Sequence, residues 1–183
     1  FYMILLEGQT CFLRTLREDD AVELAQLVTK NRFYWSVFEP RHQDSYFTAA
    51  VQREKILESL HHMQNQREFS FGIYDVKTNY LVGHISMYGI KRLPFSSSFI
   101  GYSIDEMNVG KGIGTEAVQL VVKYGMEVVG LHRIEAYVSP RNFGSIRVLE
   151  KANLQQEGLL RQLLFINGQW EDHYLYAILE NDF

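Results

Sequence analysis

Asp105-Glu106-Met107-Asn108-Val109-Gly110-Lys111-Gly112-Ile113-Gly114-Thr115-Glu116 gathers three of the chain's 13 glycines into five positions. Upstream, residues 97–104 alternate as a strand. Downstream, Ala117, Val121, Tyr124 and Val128 fall on one helical face. The glycines therefore mark a strand-to-helix joint. Lacking a Cβ, they let the backbone turn sharply and let a ligand come close. The helix start behind them offers free N–H groups and the positive end of the helix dipole, which suits a phosphate or diphosphate. A tight turn with no ligand is the alternative reading of the same spacing.

Working outward, residues 11–16 read as a short strand. A helix follows with Ala21, Leu24, Ala25 and Val28 on one face and Asp19 and Asp20 at its positive end. Residues 31–35 are aromatic and irregular and lead to Glu39-Pro40. A second helix spans residues 48–66, with Ile56, Leu60 and Met63 as its apolar stripe. The period then changes to two, giving strands at 69–74, 80–88 and 97–104. After the glycine joint and its helix come a strand at 133–138 and a helix through Ile146, Leu149 and Ala152. Two strands, 155–165 and 169–179, are joined by Asn167-Gly168, which supplies the two positive φ angles of a type I′ hairpin. The order predicts a mixed α/β (α+β) fold: a mostly antiparallel sheet of about seven strands, flanked by about four helices.

A length of 183 residues suits a single domain. Aromatic residues, at 14%, supply a core that a disordered chain lacks. Eighteen Lys and Arg against 22 Asp and Glu give a net charge of −4, which argues against a dedicated nucleic-acid binder. One cysteine, Cys11, makes neither a disulfide within the chain nor a cysteine metal cage, and fits a reducing compartment. No segment reaches the run of about 18 apolar residues a membrane helix needs. The first residues lack a basic signal-peptide region, and Met3 reads as the start, with Phe1 and Tyr2 as additions ahead of it. The expectation is a cytoplasmic protein. His61 and His62 point about 100° apart on a helix and have no metal-binding spacing around them, so they read as its exposed flank and no metal is expected.

Three phosphate motifs can be held against the glycine joint. A Walker A loop fails because Gly112 follows Lys111. A dinucleotide fingerprint fails because Gly110, Gly112 and Gly114 are spaced Gly-x-Gly-x-Gly. The acetyl-CoA loop, Gln/Arg-x-x-Gly-x-Gly/Ala, fits at Gly112 and Gly114. Downstream, Asn142 and Ser145 stand where a helix begins, positions that also suit plain N-terminal caps.

With Ile100-Gly101-Tyr102-Ser103-Ile104, the Asn142/Ser145 pair, Val148-Leu149-Glu150-Lys151 and the stretch from Ile166 to His173, these motifs follow one order along nearly the whole chain. In that order the sequence resembles the GNAT superfamily of N-acetyltransferases. Within it, the chain is similar to the RimJ/RimL-like ribosomal-protein N-terminal acetyltransferases. The resemblance implies acetyl-CoA as cosubstrate, held in a V-shaped opening between the strands at residues 98–104 and 133–138. The diphosphate would meet the N–H groups of Val109, Gly110, Lys111, Gly112, Ile113, Gly114 and Thr115. The pantetheine arm would lie along the backbone of Ser103, Ile104 and Asp105, with Asn142 holding it and Ser145 protonating the leaving sulfur. It also implies transfer to a protein N-terminus, with a small amine as the alternative acceptor, and a homodimer or larger homo-oligomer.

The chain departs from the family pattern in three respects. Val109 stands at the Gln/Arg place of the loop. Asn153-Leu154 stands for Gly-Phe after the last helix, a mild change because Asn tolerates the left-handed conformation. Phe99 and Leu164 stand where relatives carry a carboxylate, leaving Glu39, Asp172 and His173 as candidate bases. An α-amine with a pKa of about 7.7–8.0 makes modest demands on a base. Trp35, Glu39, Trp170 and Asp172 are the expected acceptor-side residues. The missing carboxylates also leave open a CoA-binding protein with little turnover.

Overall fold

The period-two segments pair into one eight-stranded sheet in a computed structural model that describes residues 3–182. The strands are β1 (Leu5–Glu7), β2 (Cys11–Arg14), β3 (Phe69–Asp75), β4 (Leu81–Lys91), β5 (Ser97–Ile104), β6 (Arg133–Val138), β7 (Gln155–Ile166) and β8 (Gln169–Leu179). Their spatial order is β1-β2-β3-β4-β5-β6-β8-β7, and every neighbouring pair is antiparallel except β5 with β6. The helices are α1 (Ala21–Lys30), α2 (Arg32–Trp35), α3 (Ala49–Gln64), α4 (Ile113–Tyr124) and α5 (Phe143–Lys151). Phe1 and Tyr2, whose status was raised above, lie outside the described residues.

Two expected counts are refined. β1 has three residues, too few for a period to show, and α2 is a single turn in the stretch that read as irregular. The hairpin expectation holds: Asn167 and Gly168 both take positive φ, +52° and +86°. Asn153 ends α5 at φ +73°, the left-handed conformation its side chain tolerates.

The helices divide between the two faces of the sheet. Ala117, Val118, Val121 and Val122 of α4 and Leu149 of α5 pack on Phe71, Ile85, Met87, Ile100 and Ile134 in the main core. Leu24, Leu27 and Val28 of α1 and Ile56 of α3 form a second cluster with Tyr74 and Leu81 on the opposite face. Burial of this kind contributes about 25 cal/mol per Å2 of apolar surface and is the main force holding both layers.

One polar contact locks α4 to the sheet edge. The Glu116 carboxylate accepts the N–H groups of Gln9 (2.9 Å), Thr10 (2.7 Å) and Cys11 (3.1 Å) and the Thr10 hydroxyl (2.7 Å). Burial alone would raise its pKa, but these donors outweigh it and hold the carboxyl at about 2, against an ordinary 4.5. Burial, aided by the charge of the same carboxylate, pushes the Cys11 thiol up to about 12, so it stays protonated and unreactive. Since the folded-state pKa of Glu116 lies below its ordinary value, its contribution is complete above pH 4.5 and is lost as pH falls through about 2. Glu116→Gln should therefore destabilise the fold by about 2 kcal/mol at pH 7. Urea unfolding of the two proteins should show that gap narrowing between pH 4.5 and pH 3.

Candidate active site

β5 and β6 pair at only three positions, Ser97 with Arg133, Ser98 with Ile134 and Phe99 with Glu135. Both strands run on, to Ile104 and Val138, but apart, so a V-shaped opening splits the sheet. Just past β5, the Asp105 N–H donates to the Val82 carbonyl at 2.7 Å. Antiparallel alternation then turns the backbone of Gly101 and Ser103 toward β4 and leaves that of Ile100, Tyr102 and Ile104 facing the opening. This corrects one expectation: the backbone of Ser103 is committed to β4. Of the outward groups, the Ile104 carbonyl accepts the Trp35 indole N–H at 2.9 Å, and the Ile104 N–H stays free for a ligand.

The glycine joint lies at the wide end of this opening. Gly110 and Gly112 take φ +77° and +83°, and a Cβ at either would meet nothing within 4 Å. The first is needed for its conformation and the second also sets the start of α4, which has no side-chain cap. None of the N–H groups from Gly110 to Thr115 donates to a partner among the described residues. Gly114 has another purpose: a Cβ there would lie 3.3 Å from Val148, so it lets α4 and α5 approach. Val109 is exposed and extended, Lys111 is exposed, and the Ile113 side chain is buried in the core. Two contacts from the end of α1 hold the joint. Lys30 pairs with buried Asp105 at 2.8 Å, and the Asn31 side-chain oxygen accepts the Glu106 N–H at 3.0 Å. Neither was legible in the sequence, because each pair stands 75 residues apart.

Ser145, in the first turn of α5, faces the opening from the α4–α5 side. Its Oγ lies 2.6 Å from the Tyr102 hydroxyl. Tyr102 is a residue that sequence reading treated only as strand. Burial raises its pKa, so the phenol keeps its proton. Asn142 caps α5 by accepting the Ser145 N–H at 3.2 Å, which leaves its NH2 group as the part available to a ligand.

On the opposite face, Glu39 is half-buried and accepts the Ser103 hydroxyl at 2.9 Å. Burial raises its pKa, and that single hydrogen bond only partly offsets the rise. His84 stands directly across from Ser103, with its ring edge-on to Trp35 at 5.4 Å. Burial, aided by the charges of His42 and Lys55, pushes His84 down to about 4, so it is neutral near pH 7. The tip of the β7–β8 hairpin reaches the segment after α2: Asn167 donates from its side chain to the Ser36 carbonyl at 2.8 Å.

Two of the expected acceptor-side residues make their contacts within their own hairpin. Trp170 is exposed and packs on Phe165 of its own hairpin. Asp172 accepts the Gln162 N–H at 2.8 Å, where a bulge puts Gln162 at φ +48°, so it shapes the hairpin. His173 is buried, with Nδ1 3.1 Å from the Glu171 carbonyl. At the two positions without a carboxylate, Phe99 lies between Tyr88 and Tyr137, and Leu164 is exposed. His62 is half-buried with Nδ1 buried and unpartnered, unlike exposed His61, which corrects the view of both as a solvated flank. Among the described residues no cluster of His, Cys, Asp and Glu could hold a metal ion, and no helix is long and apolar enough to cross a membrane.

A gap through a sheet, donor-rich on one face and carboxylate-bearing on the other, is the build of a group-transfer enzyme that brings two substrates together edge to edge. The chain belongs to the GNAT acetyltransferase family, whose domain model matches residues 11–155. It is 43% identical to the probable N-acetyltransferase YjcK of Bacillus subtilis, over 97% of this chain and 98% of that one. Its fold is similar to the ribosomal-protein-S5-alanine acetyltransferase of Vibrio fischeri, with a TM-score of 0.92, 31% identity and 98% of each chain covered. RimJ of Mycobacterium smegmatis in complex with CoA-disulfide matches with a TM-score of 0.91 and 26% identity, over 98% of this chain and 88% of that one. The protein is an acetyl-CoA-dependent N-acetyltransferase, and its acceptor is a protein N-terminus or another amine.

Proposed function

We propose that the protein acetylates the N-terminal α-amine of a protein, a ribosomal protein in the cytoplasm, by direct attack. The observation that carries this reading is Glu39: a half-buried carboxylate of raised pKa, held by Ser103 on the unpaired end of β5, four residues beyond its last pair with β6. Ser145 stands on the other side of the opening. Likeness to the ribosomal-protein-S5-alanine acetyltransferase of Vibrio fischeri supports the acceptor class.

The open backbone and the glycine joint fit acetyl-CoA. Two positive-φ glycines with free space over them, and a run of unpartnered N–H groups at a helix start, suit a diphosphate. Gly110, Lys111, Gly112, Ile113, Gly114 and Thr115 would hold it through their N–H groups, Tyr102 and Ile104 would hold the arm through the backbone, and Asn142 through its NH2 group. Acetyl-CoA supplies an acetyl group activated as a thioester. The free N–H of Ile104 points where negative charge develops on the acetyl oxygen, and such a donor is worth several kcal/mol. Glu39 takes the proton that the attacking amine loses. Ser145 Oγ gives a proton to the leaving sulfur, and the Tyr102 hydroxyl, 2.6 Å behind it, orients Ser145.

Three outcomes test the assignments. Gly112→Asp sets a carboxylate among the free N–H groups and should weaken CoA binding at least about tenfold by calorimetry; unchanged affinity moves the diphosphate elsewhere. Glu39→Gln keeps the shape but accepts no proton, and should lower kcat about 100-fold on an alanine-ended peptide, with KM little changed. Ser145→Ala should lower kcat by about 10–100-fold and Tyr102→Phe by less; full activity in Ser145→Ala rules it out as the proton donor. Mass spectrometry of the acceptor peptide decides whether the α-amine is the site modified.

A further inference from the structure

A cavity of about 270 Å3 lies between the α1–α3 layer and the face of β3 and β4 on the acceptor side. Its helical wall carries an apolar strip, Leu24 and Val28 of α1 and Ile56 and Leu60 of α3, beside polar residues of α3 that include Gln52 and His62. Its sheet wall is polar. The Ser86 and Ser70 hydroxyls lie 2.9 Å apart, and Ser70 donates to the Glu68 carboxylate at 2.9 Å. Two small side chains at these paired positions leave the room, since each large residue there would fill it. No cation pairs with Glu68 among the described residues. Lys55, the one Lys or Arg in the lining, sits over the Tyr46 ring at 5.5 Å, and Glu58 adds a second carboxylate.

One residue, His84, links the cavity to the acceptor side. His84 lines it and stands opposite Ser103, whose hydroxyl binds Glu39. Being neutral, His84 puts no positive charge in the passage. From there the floor runs along β4 to Ser86, crosses to Ser70, and ends at Glu68. At about 3.4 Å per residue and 4.8 Å between strands, the Glu39 and Glu68 carboxylates lie on the order of 10–15 Å apart.

We infer that this cavity receives the tail of the acceptor: an aliphatic chain ending in a cation, whose stem lies against Leu24, Val28 and Ile56 and whose charge meets Glu68. An apolar strip takes the methylenes, and a carboxylate already satisfied by one hydroxyl still has lone pairs for a cation. Two sources carry this chemistry, a lysine near the start of a peptide and a free linear polyamine. The inference rests on Glu39 marking the acceptor side.

The test compares acceptors that differ only in the tail charge. One pair is two alanine-ended peptides with lysine or norleucine at the second position; the other is spermidine and butylamine. The wild-type protein should favour the charged member of at least one pair by about tenfold in kcat/KM, and Glu68→Gln should bring that pair to equality. Preference in the peptide pair assigns the tail to a protein, and in the amine pair to a polyamine. Ser86→Val, which fills the floor without changing charge, should also remove the preference, and melting temperatures confirm that both variants fold. Calorimetric titration of the protein alone with the lysine peptide and with spermidine gives a second reading, with binding lost in Glu68→Gln. Equal kcat/KM for charged and neutral tails, or binding that Glu68→Gln does not weaken, overturns the cavity assignment. Transfer to none of the four acceptors, with cation binding that depends on Glu68 intact, overturns the acceptor reading at Glu39 and leaves the cavity assignment standing.

Discussion

Three residue pairs join β5 to β6, and the rest of the site is arranged around the place where that pairing stops. A strand released from its neighbour exposes backbone groups that cost free energy unless something meets them. Here the core prevents the gap from closing: Tyr102 spans it to Ser145, Ile104 packs near Gly114, and Trp35 takes the Ile104 carbonyl. The glycine joint must then hold still beside an unpaired strand. Lys30 with Asp105, Asn31 with the Glu106 N–H, and Glu116 with the β1–β2 turn fix it from three directions. Pre-formed donors are worth most when they do not move as charge develops.

Two glutamates show how environment sets the use of one residue type. Glu116 is met by four donors and kept ionised far below ordinary pH, so it acts as a clamp. Glu39 is buried with one hydroxyl for company, and its proton affinity rises. The first holds the frame in which the α4 N-terminus presents its N–H groups, while the second sits on the unpaired end of β5 with the raised proton affinity a base needs.

What was legible in the sequence was local. Asn167-Gly168 fixed its turn through its own φ preferences, Gly110 and Gly112 theirs, and Asn142 and Ser145 the start of α5. What was not legible is carried by residues far apart in the chain. Glu116 meets Thr10 across 106 residues, Trp35 meets Ile104 across 69, and Tyr102 meets Ser145 across 43. None has a spacing rule, because sheet order decides which residues become neighbours. The hairpin shows the same limit: a bulge at Gln162 shifts the β7–β8 register beyond Leu164, so counting along the two strands does not give their pairing there.

The hydrogen bond from Asn167 to the Ser36 carbonyl joins two segments 131 residues apart into a closed loop of chain beside Glu39. With the hairpin tip tied to the segment that carries Glu39, the two cannot move apart without breaking that bond, so both sides of the chain around Glu39 shift together or not at all.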